Sequence, residues 1–195
     1  MAGQGRGDGL FSASSSGLQY ALAAHWRSLG LLSALPSLPV ADAVQAIAVV
    51  SGSCSPVTAG QIGWARDNGF AVQRLDIAQV LDTSNHDAEI QRLVAAAVAA
   101  LQAGRSPLVY SAEGPDDATV TGFDAVASAL DIAALSIAAG LAPGAPLCRA
   151  GSDNTQRDGL QVVLKGGQMG VVDFFGAVRQ GRLSKVAAVF STDAC

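Results

Sequence analysis

Residues 47–58 read I-A-V-V-S-G-S-C-S-P-V-T. The apolar run Ile47 to Val50 passes straight into the small-residue stretch Ser51-Gly52-Ser53-Cys54-Ser55, and Pro56 opens a segment, Val57 to Asn68, that reads as a helix. Strand, small-residue loop and helix N-terminus together make an anion site. Loop N–H groups and hydroxyls can face a phosphate, and the helix dipole favours negative charge there. Residues no larger than Ser let the backbone come close to a ligand. A plainer reading fits the same residues: Ser55 caps the helix and Pro56 sits in its first turn. Both readings stand on local chemistry alone.

Downstream, the helix from Val57 stops at Gly69, which suits a C-terminal cap, and Phe70 to Leu75 alternates like a strand. Asp76 to Leu81 reads as the start of a loop. Asp87 to Ala103 is the clearest helix, stopped by Gly104, and Pro107 to Ser111 is another short strand. Thr121 to Ala139 has a helical pattern that Pro143-Gly144-Ala145-Pro146 breaks, and Gly151 to Asp158 is a polar loop. Leu160 to Leu164 reads as a buried strand running into Lys165-Gly166-Gly167-Gln168-Met169-Gly170. Val171 to Val178 then begins a helix with Asp173 at its cap. Alternation of strands and helices predicts an α/β layered domain with a largely parallel sheet flanked by helices. In such sheets ligands sit at the carboxyl ends of strands, so a second glycine loop carrying a lysine strengthens the case for a phosphate or nucleotide.

Upstream, residues 1–9 read as a flexible N-terminus, Leu10 to Ser12 as a short strand and Ala13 to Gly17 as a second small-residue loop. Leu18, Leu22 and Trp26 form one stripe of a helix from Leu18 to Leu29, with His25 beside it as a packing or surface residue. Ala34 to Pro39 is a Pro-rich connector into the strand Val44 to Val50.

At 195 residues the chain is long enough for one domain with a buried core; half of it is hydrophobic and 14% is charged. A net charge of −4 with no basic run argues against a nucleic-acid partner. No apolar stretch approaches the roughly 18–20 residues of a membrane span. The N-terminus shows no secretory pattern, and Cys54, Cys148 and Cys195 have neither zinc spacing nor the look of a disulfide framework, so a reducing cytoplasm is expected. Cys54 reads as a small packed residue rather than a nucleophile. Asp116 and Asp117, after the strand ending at Ser111, read either as Mg²⁺ ligands or as a turn that starts a helix.

The motifs V-V-S-G-S-C-S-P-V-T at 49–58, P-G-A-P-L-C at 143–148 and L-K-G-G-Q-M-G-V-V-D-F-F at 164–175 resemble the four-carbon acid sugar kinase family. S-S-G-L-Q-Y-A-L-A-A-H-W at 15–26 and G-R-S-P-L-V-Y at 104–110 support the likeness, in the order of that family's C-terminal, nucleotide-binding half. The resemblance implies ATP, with Mg²⁺, as phosphoryl donor to the terminal hydroxyl of a threonate, erythronate or 3-oxo-tetronate. It implies ATP contacts from Ser51, Gly52 and Ser53 and from Lys165, Gly166 and Gly167, with Ser55 and Gly170 completing the two loops. It names no metal ligand and no catalytic base in this chain; Asp116, Asp117, Asp153 and Asp173 qualify only by type. The sugar acid itself would be held by a separate N-terminal domain carrying G-D-D-x-T-G-A, which is absent here.

The family also has a helix, a strand and a G-G-[DE]-T-S-G loop before P-G-x-P-x-C. Here Ala125 to Ala129 runs almost directly into Leu130-Asp131-Ile132, and no G-G-x-T-S-G occurs in the chain. The expected organisation is therefore a nucleotide-binding domain over 10–181 lacking one internal strand-loop segment near 125–130, followed by an atypical tail over 182–195. Such a chain is an incomplete piece, a truncated product or a degenerate domain, and by itself it is expected to be inactive. The alternative is a non-catalytic remnant, a small α/β binding or interaction domain. The large apolar fraction without a partner domain points to an exposed interface, hence to a homodimer or to poor solubility.

Overall fold

The computed structural model describes residues 16–33, 42–141, 147–150, 162–165, 172–182 and 188–190. The chain divides into two compact units, Met1–Ser37 and Leu38–Cys195. In the first, helix α1 spans Ser16–Ser28, with Leu18 and Trp26 substantially exposed. The expected strand at Leu10–Ser12 and the loop residues Ala13–Ser15 lie outside the described residues.

The second unit is built on a six-stranded sheet in the order β2-β3-β1-β4-β5-β6. The strands are β1 (Ala48–Ser51), β2 (Ala71–Arg74), β3 (Pro107–Tyr110), β4 (Leu147–Ala150), β5 (Val162–Lys165) and β6 (Ala188–Phe190). The first five pair in parallel, and β6 closes one edge antiparallel to β5. The largely parallel sheet expected from the sequence is what forms. Parallel strands need crossovers, and helices supply those described: α2 (Pro56–Asp67) between β1 and β2, α3 (Ile77–Leu81) and α4 (His86–Gln102) between β2 and β3, and α5 (Phe123–Ala138) between β3 and β4; α6 (Phe174–Arg179) lies between β5 and β6.

Alternation along β1 sorts the core into two layers. Ala48 and Val50 face α3, α4 and α5, packing with Leu93, Ala97, Leu130, Ala133 and Ile137. Ile47 and Val49 face α2 and α6, packing with Ile62, Ala65, Phe174, Phe175 and Val178. All four β1 residues are buried, as a central strand covered on both faces requires. Burying one such Val, Leu, Ile or Phe side chain contributes about 1.5–3 kcal/mol.

Local chemistry fixes the element ends. Ser55 caps α2 by accepting the Val57 N–H at 3.3 Å, with Pro56 in the first turn. Gly69 follows the C-cap with φ +81°, a left-handed conformation that a β-carbon would strain, and the Phe70 N–H returns to the Ala65 carbonyl at 3.0 Å. Two expectations need correction. Asp76–Leu81 is no loop: Asp76 accepts the Ala78 and Gln79 N–H groups and starts the five-residue helix α3, whose Ile77 and Val80 are buried. Asp173 occupies the cap position of α6 without capping it, because its carboxylate takes Arg182 Nη2 at 3.0 Å instead.

Candidate functional site

β1 and β3 are neighbours in the sheet, yet the helices that follow them lie on opposite faces: α2 with Ile47 and Val49, α5 with Ala48 and Val50. Two loops that part in this way open a crevice at the carboxyl end of the sheet, where open α/β folds bind ligands. Arg74, Tyr110, Ser51, Ala150 and Lys165 stand in one register row across five strands at this end. Ser51 and Lys165 are two strands apart, which sets their Cα atoms ~10 Å from each other. The two loops singled out in the sequence thus start from the same, carboxyl end of the sheet. Gly166, Gly167 and Gly170 lie outside the described residues.

The first loop is held by its own hydroxyls. Ser53 Oγ and Thr58 Oγ1 are 2.9 Å apart, and the Ser55 N–H donates to Ser53 Oγ at 3.3 Å. Gly52 is exposed, while Ser51 is fully buried and its Oγ has no hydrogen-bond partner among the described residues. A buried hydroxyl without a partner costs about 1–3 kcal/mol. The Ser111 N–H donates to the Ser51 carbonyl at 3.1 Å, tying the β3 loop to the β1 loop. Between them lies a cavity of about 230 Å³, lined by Gly52 and Cys54 on one side, Ser111, Val120 and Thr121 on another, and Phe123, Val126 and Leu130 of α5. An open groove of about 960 Å³ adjoins it, lined by Arg74, Glu89, Arg92, Thr119 and Thr121 among others.

Sequence reasoning missed a polar network beside the crevice. Tyr110 Oη donates to Glu113 at 2.6 Å, and Arg66 of α2 pairs with the same carboxylate and reaches Tyr110 Oη at 3.3 Å. The Tyr110 hydroxyl, and then Arg66, hold the Glu113 carboxyl below its ordinary range, while burial and Glu113 push the Tyr110 hydroxyl up. Arg74 pairs with Asp117 at 2.5 Å. The Glu113 N–H, the Thr119 hydroxyl and Arg74 together hold Asp117 far below the usual carboxylate range. In the groove, Glu89 is buried and bidentate with Arg92 at 2.6 Å, and it accepts the Asp76 N–H at 2.8 Å. Such partners make Asp117 the organiser of a turn, but the turn starts no helix, since α5 begins only at Phe123. The Asp117 carboxylate is already saturated as the organiser of a turn, Asp116 is exposed beside it, and no group of three or more His, Cys, Asp or Glu among the described residues could hold a metal. The Asp117 carboxylate, with all four of its acceptor positions taken, is therefore not free to hold a Mg²⁺. The Ser51 hydroxyl lines neither cavity.

Cys148 is fully buried on β4, and burial pushes its thiol up; Cys54 is half-buried at the cavity wall. No helix among the described residues is long and apolar enough to cross a membrane.

Comparison with known proteins supports the fold. The chain is 54% identical over 225 residues to a 3-oxo-isoapionate kinase of Paraburkholderia graminis, with 92% of this chain and 48% of the relative covered. It therefore spans about half the length of that relative. A crystal structure of a domain of unknown function from Bordetella bronchiseptica, described as a citrate-bound, domain-swapped dimer, shares the fold. It matches with a TM-score of 0.50 at 22% identity, covering 70% of this chain and 41% of that one. A family described as a nucleotide-binding C-terminal domain matches residues 48–124 and 121–175, and this chain belongs to it.

Proposed function

We propose that this chain is the ATP-binding half of a kinase that phosphorylates a small acid sugar on its terminal hydroxyl. The observation that carries the reading is the crevice between β1 and β3. It has a small-residue loop at a helix N-terminus on one wall, and the Lys165 strand end stands in the same register row two strands away. The name of the kinase relative supports an oxo sugar acid as acceptor, within the threonate, erythronate and 3-oxo-tetronate class read from the motifs. Phosphoryl transfer is mostly positioning and charge neutralisation, so a half that holds the nucleotide depends on another that positions the hydroxyl. Ser51, Gly52, Ser53 and Ser55 would cradle phosphate oxygens, with Lys165, Gly166, Gly167 and Gly170 approaching from β5. Mg²⁺ would arrive on the ATP phosphates, in keeping with its usual binding through few protein ligands. The setting of the reaction would be the cytoplasm, and a homodimer would cover exposed apolar surface such as Phe123 and Ile132.

A second reading has its own support. The family matches this chain in two pieces that meet at 121–124, and the match to the kinase relative runs over 225 residues although this chain has 195. That relative must carry residues inside the matched span that have no counterpart here. With no G-G-x-T-S-G in the sequence, a segment near 125–130 would be lost and the chain would be a remnant with little nucleotide affinity. Thermal denaturation of the chain with and without millimolar Mg-ATP separates the two. Ligand at ~100 times its dissociation constant adds about 2.7 kcal/mol of stability. A rise in melting temperature is expected; a cooperative melt that ATP leaves in place would favour the remnant.

A further inference from the structure

The segment from Ser111 to Thr121 forms the partition between the crevice cavity and the adjoining groove. It gives Ser111, Val120 and Thr121 to the first and Ala118, Thr119 and Thr121 to the second. A stretch with no helix or strand of its own needs something to fix it. Asp117 supplies four bonds. Its Oδ2 accepts Arg74 Nη2 at 2.5 Å and the Glu113 N–H at 3.0 Å, and its Oδ1 accepts the Thr119 N–H at 3.2 Å and the Thr119 hydroxyl at 2.7 Å. Its carbonyl takes the Val120 N–H at 3.1 Å. The side chain is only 8% exposed and lines neither cavity. Gly114, at φ +123°, lays the same segment against Ala59 of α2, where a β-carbon would lie 3.7 Å away.

We infer that Asp117 is a positioning residue: without touching the nucleotide, it sets nucleotide affinity by holding Thr119 and, next to it, Val120 and Thr121, which form the wall of the crevice. This rests on the nucleotide reading above. Only a carboxylate can accept all four bonds, two at each oxygen. An amide of the same shape keeps the Thr119 contacts on Oδ1 but turns an N–H₂ toward two donors, Arg74 Nη2 and the Glu113 N–H. The wall is then in its binding arrangement only part of the time, and apparent affinity falls by that fraction.

The test compares wild type, Asp117→Asn and Asp116→Asn in the full chain. Mg-ATP affinity is measured by titration calorimetry and amide exchange at Thr119 and Val120 without ligand. Expected for Asp117→Asn is a dissociation constant raised about tenfold, matching a wall competent about a tenth of the time, together with faster exchange at both amides. Asp116→Asn, which changes charge at the exposed neighbour, should alter neither. Wild-type affinity in Asp117→Asn overturns the inference. So does a raised dissociation constant with unchanged exchange, since Asp117 would then act by another route. A wild type that binds no Mg-ATP overturns the nucleotide reading, and this assignment with it; that outcome is distinct from failure of the variant alone.

Discussion

Gly52 at the end of β1 faces Leu130 of α5 so closely that a β-carbon at 52 would lie 3.2 Å from Leu130 Cδ1. The loop proposed to receive a phosphate is therefore bounded on one side by the helix that crosses from β3 to β4. Replacing Gly52 by Val fills the approach to the loop backbone and pushes on Leu130. The expected result is loss of most Mg-ATP-dependent thermal stabilisation, with ~1–3 kcal/mol of overpacking cost to the free chain. Melting curves with and without Mg-ATP check both. Ser53→Leu, which also breaks the 2.9 Å contact to Thr58, should abolish the ligand-dependent rise in the same assay.

Trp64 and Gly176 fix α2 against α6. A β-carbon at 176 would come within 2.4 Å of Trp64 Cη2, and α6 is buried over most of its length. Gly176→Ala should cost ~1–3 kcal/mol, read as a lower denaturant midpoint at unchanged slope. A midpoint equal to wild type would show that the two helices part without penalty.

The acid side of the stability curve should report Asp117. Its folded pKa lies below its unfolded value, so protonation is harder in the native state. The carboxylate's contribution is fully present above about pH 5 and is lost as pH falls through about 4 and below. Glu113 shifts in the same direction, with the Tyr110 hydroxyl and Arg66 as causes. Between about pH 5 and 2 the melting temperature should fall, and Asp117→Asn should show a shallower fall. Equal slopes would remove Asp117 from the acid transition.

The two described thiols should differ in reactivity. Burial on β4 raises the Cys148 thiol and shields it, so alkylation at pH 8 should leave it unmodified in the folded chain while Cys54 reacts. Because Cys54 lines the crevice, saturating Mg-ATP should slow its labelling severalfold, as read by peptide mass mapping. Undiminished labelling under saturating nucleotide would place the ligand elsewhere.

How far the sequence reached depends on how local each signal was. The turn from β1 into α2 was legible because a four-residue apolar run, a Ser cap and a proline are adjacent in the chain; the helix from Val57 to Asn68 formed as Pro56–Asp67. α4, expected over Asp87–Ala103, formed over His86–Gln102, since seventeen residues carry several turns of periodicity. α3 escaped notice because five residues hold little more than one turn and its start is a single Asp cap. β4 escaped notice because Leu147-Cys148-Arg149-Ala150 has no apolar run, and only pairing with β1 and β5 makes it a strand.

What the sequence by itself determined was the alternation of strands and helices and the loop chemistry at Ser51–Ser55. Each of those is encoded within about one turn or one strand of chain. Tertiary structure alone decided that Ser51 and Lys165 share a register row and that α2 and α5 part to opposite faces of the sheet. It also decided that Arg74 would meet Asp117 across a sequence separation of 43 and Arg66 would meet Glu113 across 47. Such pairs depend on which strand lies beside which, and strand order follows from burying both faces of one sheet at once, a condition no local stretch of sequence expresses.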